Sequence, residues 1–207
     1  MHNGYLMVDG EKMSKSLGNF FTVQDLLAKA PGEAVRLCLL STHYHQPLNW
    51  TDDGLAQAKQ TLDRFYTALE RVGEVAAATE GVAALLQPVV DALMDDLNTP
   101  AAIAAMHDLA SQLNKATAPG DQAVLKAALQ EAAGLLGILE ATPEAWRRGS
   151  ATAADGPSDA EIDAMVAART AARASRDFAE ADRLRKALAD AGVTLEDGAA
   201  GTKWRRE

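Results

Sequence analysis

Between residues 51 and 140 apolar side chains recur in steps of three and four, and that spacing confines most of the chain to helices. Leu55, Ala58, Leu62, Phe65, Leu69 and Val72 form one stripe. Leu86, Val89, Val90, Leu93, Met94 and Leu97 form a second, with Pro88 inside it, so that helix either starts at the proline or bends there. Thr99-Pro100 reads as a hydroxyl N-cap followed by proline at the first helical position, ahead of Ile103, Met106, Ala110 and Leu113. Asp121 opens a further helix carrying Val124, Leu125, Ala128, Leu129, Ala132, Leu136 and Leu139. One-sided stripes joined by short loops predict an antiparallel helical bundle. At 207 residues and 48% apolar content there is enough for a packed core, and the low aromatic share (5%) with abundant alanine favours close-packed helices over a β-sandwich.

The flanks differ from the bundle. Tyr5-Leu6-Met7-Val8 reads as a short strand ending at the turn dipeptide Asp9-Gly10, and Val23 to Leu40 is helical with a break at Pro31-Gly32. From Ala141 to Pro157 the periodicity fails among Pro, Gly, Ser and Thr, which reads as a linker. Ser158-Asp159-Ala160-Glu161 and Asp177-Phe178-Ala179-Glu180 both have capping-box spacing and start two helices, the second stopping at Gly192. Val193 to Leu195, Glu196-Asp197-Gly198 and Thr202 to Trp204 suggest a hairpin. The expected fold is therefore mainly α: a strand/loop/helix segment over 1–50, the bundle over 51–140, a linker over 141–157 and a small α+β unit over 158–207. That last unit is too thin to form a catalytic domain by itself.

A net charge of −9 argues against a generic coat for polyanions, and leaves open RNA binding through a local basic or stacking surface. Cys38 is the sole cysteine, so no disulfide can form within the chain, and its apolar neighbours suit a buried thiol. No apolar run reaches membrane-spanning length and no signal-peptide pattern opens the chain, so a cytoplasmic protein with no membrane partner is expected. His43 and His45 could share one face, but a third and fourth metal ligand are not evident, so no metal site is expected. His107, between Met106 and Leu109, reads as structural.

Lys12-Met13-Ser14-Lys15-Ser16 is the chemically loaded stretch. Two lysines three apart among hydroxyl residues can converge on one polyphosphate, with Gly18 leaving the backbone mobile. The pentapeptide spells the K-M-S-K-S signature of class I aminoacyl-tRNA synthetases. Met7-Val8-Asp9 before it and Leu17-Gly18-Asn19-Phe20-Phe21-Thr22 after it resemble the cysteinyl-tRNA synthetase version. Ser41 to Asn49 resembles that family's S-x-H-Y-R-S-P-L-N segment, with His45 where the family has arginine, and Met94 to Pro100 resembles its M-D-D-D-F-N-T-P segment. In the tail Arg169, Ala172-Arg173, Ala181-Asp182, Leu184-Arg185, Leu195-Glu196-Asp197, Gly201-Thr202 and Trp204-Arg205 fall on matching positions.

The resemblance implies a C-terminal portion of a cysteine–tRNA ligase, which activates L-cysteine with ATP (and magnesium) and transfers it to tRNA(Cys). Lys15 first and Lys12 second would contact phosphate; Ser14 and Ser16 would donate to phosphate or shape the turn, and Met13 would anchor the loop. Arg173, Asp182 and Asp197 match positions that contact the anticodon, with Arg169 and Arg185 secondary, and Trp204 and Phe178 either stacking on bases or packing in a core. The family's zinc is held by residues with no counterpart here, and the H-I-G-H motif does not occur. An isolated chain without activity, monomeric and with no DNA partner, is expected. The alternatives are a tRNA-binding module acting in trans and a mycothiol-ligase-like cysteine ligase, which would lack the tail.

Overall fold

The computed structural model describes residues 2–149, 156–198 and 201–206. Asp9 and Gly10 both take positive φ (50° and 85°), the two-residue turn that closes a tight hairpin between β1 (Leu6–Val8) and β2 (Glu11–Lys12). β1 also pairs in parallel with β3 (Leu48–Trp50), so the sheet order is β2-β1-β3. The crossover between β1 and β3 carries α1 (Val23–Leu27) and α2 (Gly32–Leu40). A reciprocal capping box of Thr22 and Asp25 starts α1, and Pro31 breaks the chain before α2, as the sequence predicts.

The bundle follows as α3 (Asp52–Arg71), α4 (Val82–Met94), α5 (Thr99–Lys115) and α6 (Pro119–Leu136). α5 packs on α3, α4 and α6, and the mainly α architecture is as expected. The first stripe is buried throughout, with Leu62 and Phe65 fully enclosed. The second is corrected. α4 starts at Val82, runs through Pro88 and ends at Met94, so Met94 (79% exposed) and Leu97 lie outside the core. Asp96 and Leu97 both adopt φ of 53° there, turning the chain into α5. The α5 cap is also one residue earlier than Thr99. Asn98 Oδ1 accepts from the Ala101 amide at 3.2 Å, while the Thr99 hydroxyl donates to the Leu40 carbonyl at 2.7 Å. α6 likewise begins two residues before Asp121, at Pro119.

Where α6 ends, tertiary contacts decide the path. Gly137 closes the helix at φ 64°, and a Cβ there would lie 2.9–3.0 Å from the Arg36 guanidinium, whose Nε donates to the Leu136 carbonyl at 2.5 Å. The Glu33 carboxylate accepts from the Tyr66 hydroxyl (2.8 and 3.0 Å) and from the amides of Leu139 (3.0 Å) and Glu140 (3.2 Å). Burial, then the Glu33 carboxylate, push the Tyr66 hydroxyl well above its ordinary pKa, so it stays a donor.

The chain divides into two compact units, one up to Pro143 and one from Glu144. Where the sequence reads as linker, Pro143–Arg148 forms α7; the stretch 150–155 lies outside the described residues. The second unit continues with α8 (Asp159–Ala174), capped by Ser158 and Glu161, and α9 (Phe178–Asp190), capped by Asp177. β4 (Val193–Gly198) and β5 (Gly201–Arg206) form the hairpin that the sequence suggests, with Leu195 opposite Trp204. Ile162, Leu188, Val193 and Trp204 make the small core, flanked by Met165, Val166 and Leu195. No helix among the described residues is long and apolar enough to cross a membrane.

Candidate phosphate loop and nucleic-acid interface

The K-M-S-K-S segment straddles two kinds of backbone. Lys12 ends β2, and the Met13 amide extends that ladder by donating to the Leu6 carbonyl at 3.2 Å. Lys15 begins a single 3₁₀ turn, Lys15–Leu17, capped by the Ser14 hydroxyl, which accepts from the Leu17 amide at 3.3 Å. Gly18 closes that turn in the left-handed region at φ 69°. Ser14 and Ser16 hydroxyls lie 3.2 Å apart, so both serines shape the turn. Both lysines are exposed, and the Lys15 ammonium sits 5.7 Å from the Phe20 ring centroid. Met13 is half-buried beneath the loop.

Two asparagines with no role legible in the sequence hold this segment. Asn19 Oδ1 accepts from the Ser14 amide at 2.9 Å and its Nδ2 donates to the Lys12 carbonyl at 3.3 Å. Asn49 Oδ1 accepts from the Gly10 amide at 2.8 Å, pinning the hairpin tip to β3. Asn19 lies within, and Asn49 closes, one of the motif-like segments of the sequence.

The segment Ser41 to Asn49 and the α4–α5 turn, both singled out in the sequence, meet in the structure. The Tyr44 hydroxyl donates to Asp96 Oδ1 at 2.5 Å, and His45 Nε2 lies 3.1 Å from Asp96 Oδ2. The Tyr44 hydrogen bond, with smaller help from His45, holds the Asp96 carboxyl below the usual range. His43, Tyr44 and His45 stack on one another, with centroids 4.2–5.5 Å apart. The residues present do not fit a zinc site. Among the described residues no three His, Cys, Asp or Glu side chains are placed to hold a metal, and burial pushes the Cys38 thiol upward in pKa.

In the second unit, α8, α9 and the hairpin bring Arg169, Arg173, Phe178, Asp182, Arg185 and Asp197 around one cleft of about 280 Å³. Arg169 grips Asp197 bidentately at 3.0 and 2.9 Å, Arg173 adds a third bond at 2.9 Å and Thr202 a fourth at 2.6 Å. Four donors occupy the lone-pair positions of the two oxygens. Asp197 is therefore the anchor of the cleft, and Arg169, only 7% exposed, is its buried partner. Asp182, Arg185 and Phe178 (63% exposed) face solvent around it.

Of the two readings of Trp204, stacking on bases or packing in a core, the structure favours the core. It is 3% exposed within the core, with Nε1 donating to Asp163 at 2.7 Å and the Arg148 and Arg206 guanidiniums 5.4 and 5.1 Å from its ring. A ring so enclosed has no face left for a base. Its alternation along β5 carries it inward, opposite Leu195.

The bonds to Arg169, then to Thr202, hold the Asp197 carboxyl far below its ordinary pKa. Its folded value lies below the unfolded value of about 4, so its stabilisation is fully present above pH ~4 and is lost as pH falls further. Glu161, lowered by its capping bonds to Ser158, acts in the same direction. The melting temperature of the second unit is expected to drop as pH falls below about 4, and to drop less steeply in Asp197→Asn. Equal slopes in circular-dichroism melts would rule out this carboxylate as the source.

Comparison with known proteins assigns these elements in order. The family model described as tRNA synthetases class I (C) catalytic domain matches residues 1–60, the DALR domain matches 88–140, and the cysteinyl-tRNA ligase anticodon binding domain matches 155–205. A strand–loop–helix segment carrying K-M-S-K-S, a helical bundle and a small α+β unit are thus the matched parts of class I aminoacyl-tRNA synthetases. The chain is 62% identical over 207 residues to a cysteine–tRNA ligase of Paramagnetospirillum magneticum, matching 100% of this chain and 44% of the relative. A cysteine–tRNA ligase of Parvibaculum lavamentivorans is 55% identical over 205 residues, 99% of this chain and 43% of the relative. One of Rhodospirillum rubrum is 53% identical over 206 residues, 100% and 44%. The chain belongs to the cysteinyl-tRNA synthetase family, and it spans less than half the length of the curated relatives it matches.

Proposed function

We propose that this chain supplies the ATP-phosphate loop and the tRNA-binding elements of a cytoplasmic, monomeric cysteine–tRNA ligase. Residues 1–50 carry the phosphate loop and the segment that meets the tRNA stem, 51–140 the bundle, and 158–207 the anticodon reader. The observation that carries this reading is the convergence of Arg169, Arg173, Asp182, Arg185 and Asp197 around a single cleft, within the span that matches an anticodon binding domain. The same match argues against an amino-sugar ligase, which would have no use for such a tail.

In the activation step the cysteine carboxylate attacks the α-phosphorus of ATP, the bond from that phosphorus to the α–β bridging oxygen breaks, and pyrophosphate leaves with the bridging oxygen. Negative charge grows on the transferring oxygens and on the leaving group. Lys15, with Lys12 behind it, stabilises that charge more in the transition state than in the ground state. The residues present do not fit the zinc that the family uses to select cysteine, since no three His, Cys, Asp or Glu side chains among the described residues are placed to hold a metal.

Anticodon bases are read at their edges and by stacking. Arg173, beyond its bond to Asp197, and Arg185 offer guanidinium donors to base acceptors, and Asp182 accepts from a base amino or imino group. Phe178 is the exposed ring, and Arg169 and Asp197 hold the floor of the cleft. Asp182→Asn is expected to change discrimination between tRNA(Cys) and an anticodon-substituted transcript, while the slope of affinity against salt stays the same. Uniform weakening for every anticodon would count against Asp182 as a reader.

A further inference from the structure

We propose that Asn19 is a positioning residue for the phosphate loop, its carboxamide setting where the ammonium groups of Lys12 and Lys15 converge; this rests on the ATP-loop reading above. The loop joins two elements of different backbone, a strand hairpin and a 3₁₀ turn. Lys12 belongs to a hairpin fixed at its tip by Asn49 and along its ladder by the Met13–Leu6 bond. Lys15 belongs to a 3₁₀ turn closed internally by the Ser14 cap and by the Gly18 amide donating to the Lys15 carbonyl at 3.3 Å. None of those bonds crosses the junction at Met13-Ser14. Asn19 does: one oxygen accepts from the first residue of the turn side, at Ser14, and one nitrogen donates to the last residue of the hairpin side, at Lys12.

The chemistry explains the residue type. The task needs an acceptor and a donor on one short planar group, which a carboxamide has and an ionised carboxylate lacks. Without the tie, the junction is free to rotate and Lys15 moves relative to Lys12. Electrostatic stabilisation by preplaced charges depends on that placement, and a shift of about 1 Å can cost up to about a hundredfold in rate.

The test is a double-mutant cycle in the full-length ligase, read by cysteine-dependent ATP–pyrophosphate exchange. Asn19→Ala is expected to lower kcat by about tenfold or more, with the KM for ATP changing much less. In a Lys15→Ala background the same change should add less than about twofold, because its effect passes through the lysine. Multiplicative losses, or a wild-type rate for Asn19→Ala, would overturn the positioning role and leave Lys15 in place. If instead Lys15→Ala alone leaves exchange unchanged, the ATP-loop reading falls and this inference with it. Amide exchange of Ser14 in the chain itself gives a readout that needs no catalysis. It should be slowed in the wild type and become fast in Asn19→Ala, with α3 protection unchanged; a Ser14 amide that exchanges equally fast in both overturns the tie.

Discussion

Replacing Lys15 with alanine in the full-length ligase is expected to slow cysteinyl-adenylate formation by about 10²–10³-fold, the range seen when one preplaced donor to a developing anion is removed. Its affinity for tRNA(Cys) should stay within about twofold, because a contact made to the reacting phosphates is absent from the binding of RNA. The structure supports a large effect for two reasons. The ammonium is exposed, with the Phe20 ring centroid 5.7 Å away. Its backbone is held by the Ser14 cap, so the side chain has a fixed root from which to reach phosphate. Pyrophosphate exchange and filter binding measure the two quantities separately. Equal losses in both would mean that Lys15 acts on tRNA binding or on folding, and the assignment would fail.

The second large effect concerns stability. Trp204→Ala is expected to cost about 3–5 kcal/mol, the usual range for truncating a buried large aromatic side chain. The core around it is only Ile162, Leu188 and Val193 with their half-buried neighbours, and units of this size bury a smaller share of their surface than larger domains. A loss of that magnitude should unfold the second unit. Hydrogen exchange should show α8, α9 and the hairpin losing protection while α3 keeps its own. Trp204→Phe keeps much of the buried area and forfeits the bond from Nε1 to Asp163, so it should cost about 1–2 kcal/mol. If Trp204→Ala left the protection of α8 intact while abolishing anticodon discrimination, the ring would be a reader after all.

Local physics made much of this chain legible in advance. The capping box at Ser158, the Asp9-Gly10 turn and the stripe from Leu55 to Val72 depend on neighbours within a few residues, so spacing alone exposes them. The failures share a cause. Met94 and Leu97 continue the apolar period of α4, yet the chain leaves the helix at Met94 because the α4–α5 turn is held by Tyr44 and His45, about fifty residues away in sequence. Thr99 looks like a cap and instead gives its hydroxyl to Leu40, leaving the cap to Asn98. Trp204 has the composition of a base-stacking residue, and only the pairing of β4 with β5 decides which face it takes.

The sequence by itself determined the helical class, the small terminal α+β unit and the family, because each is written in short-range periodicity or in a contiguous motif. Tertiary structure decided the roles within the sites. It made Asp197 an anchor saturated by four donors, buried Arg169 beneath it and Trp204 in the core, and set Asn19 across the junction between the two lysines. The physical reason is that a role depends on which lone pairs, donors and ring faces remain unoccupied once the chain has folded. Occupancy is a property of residues that are distant in sequence and adjacent in space.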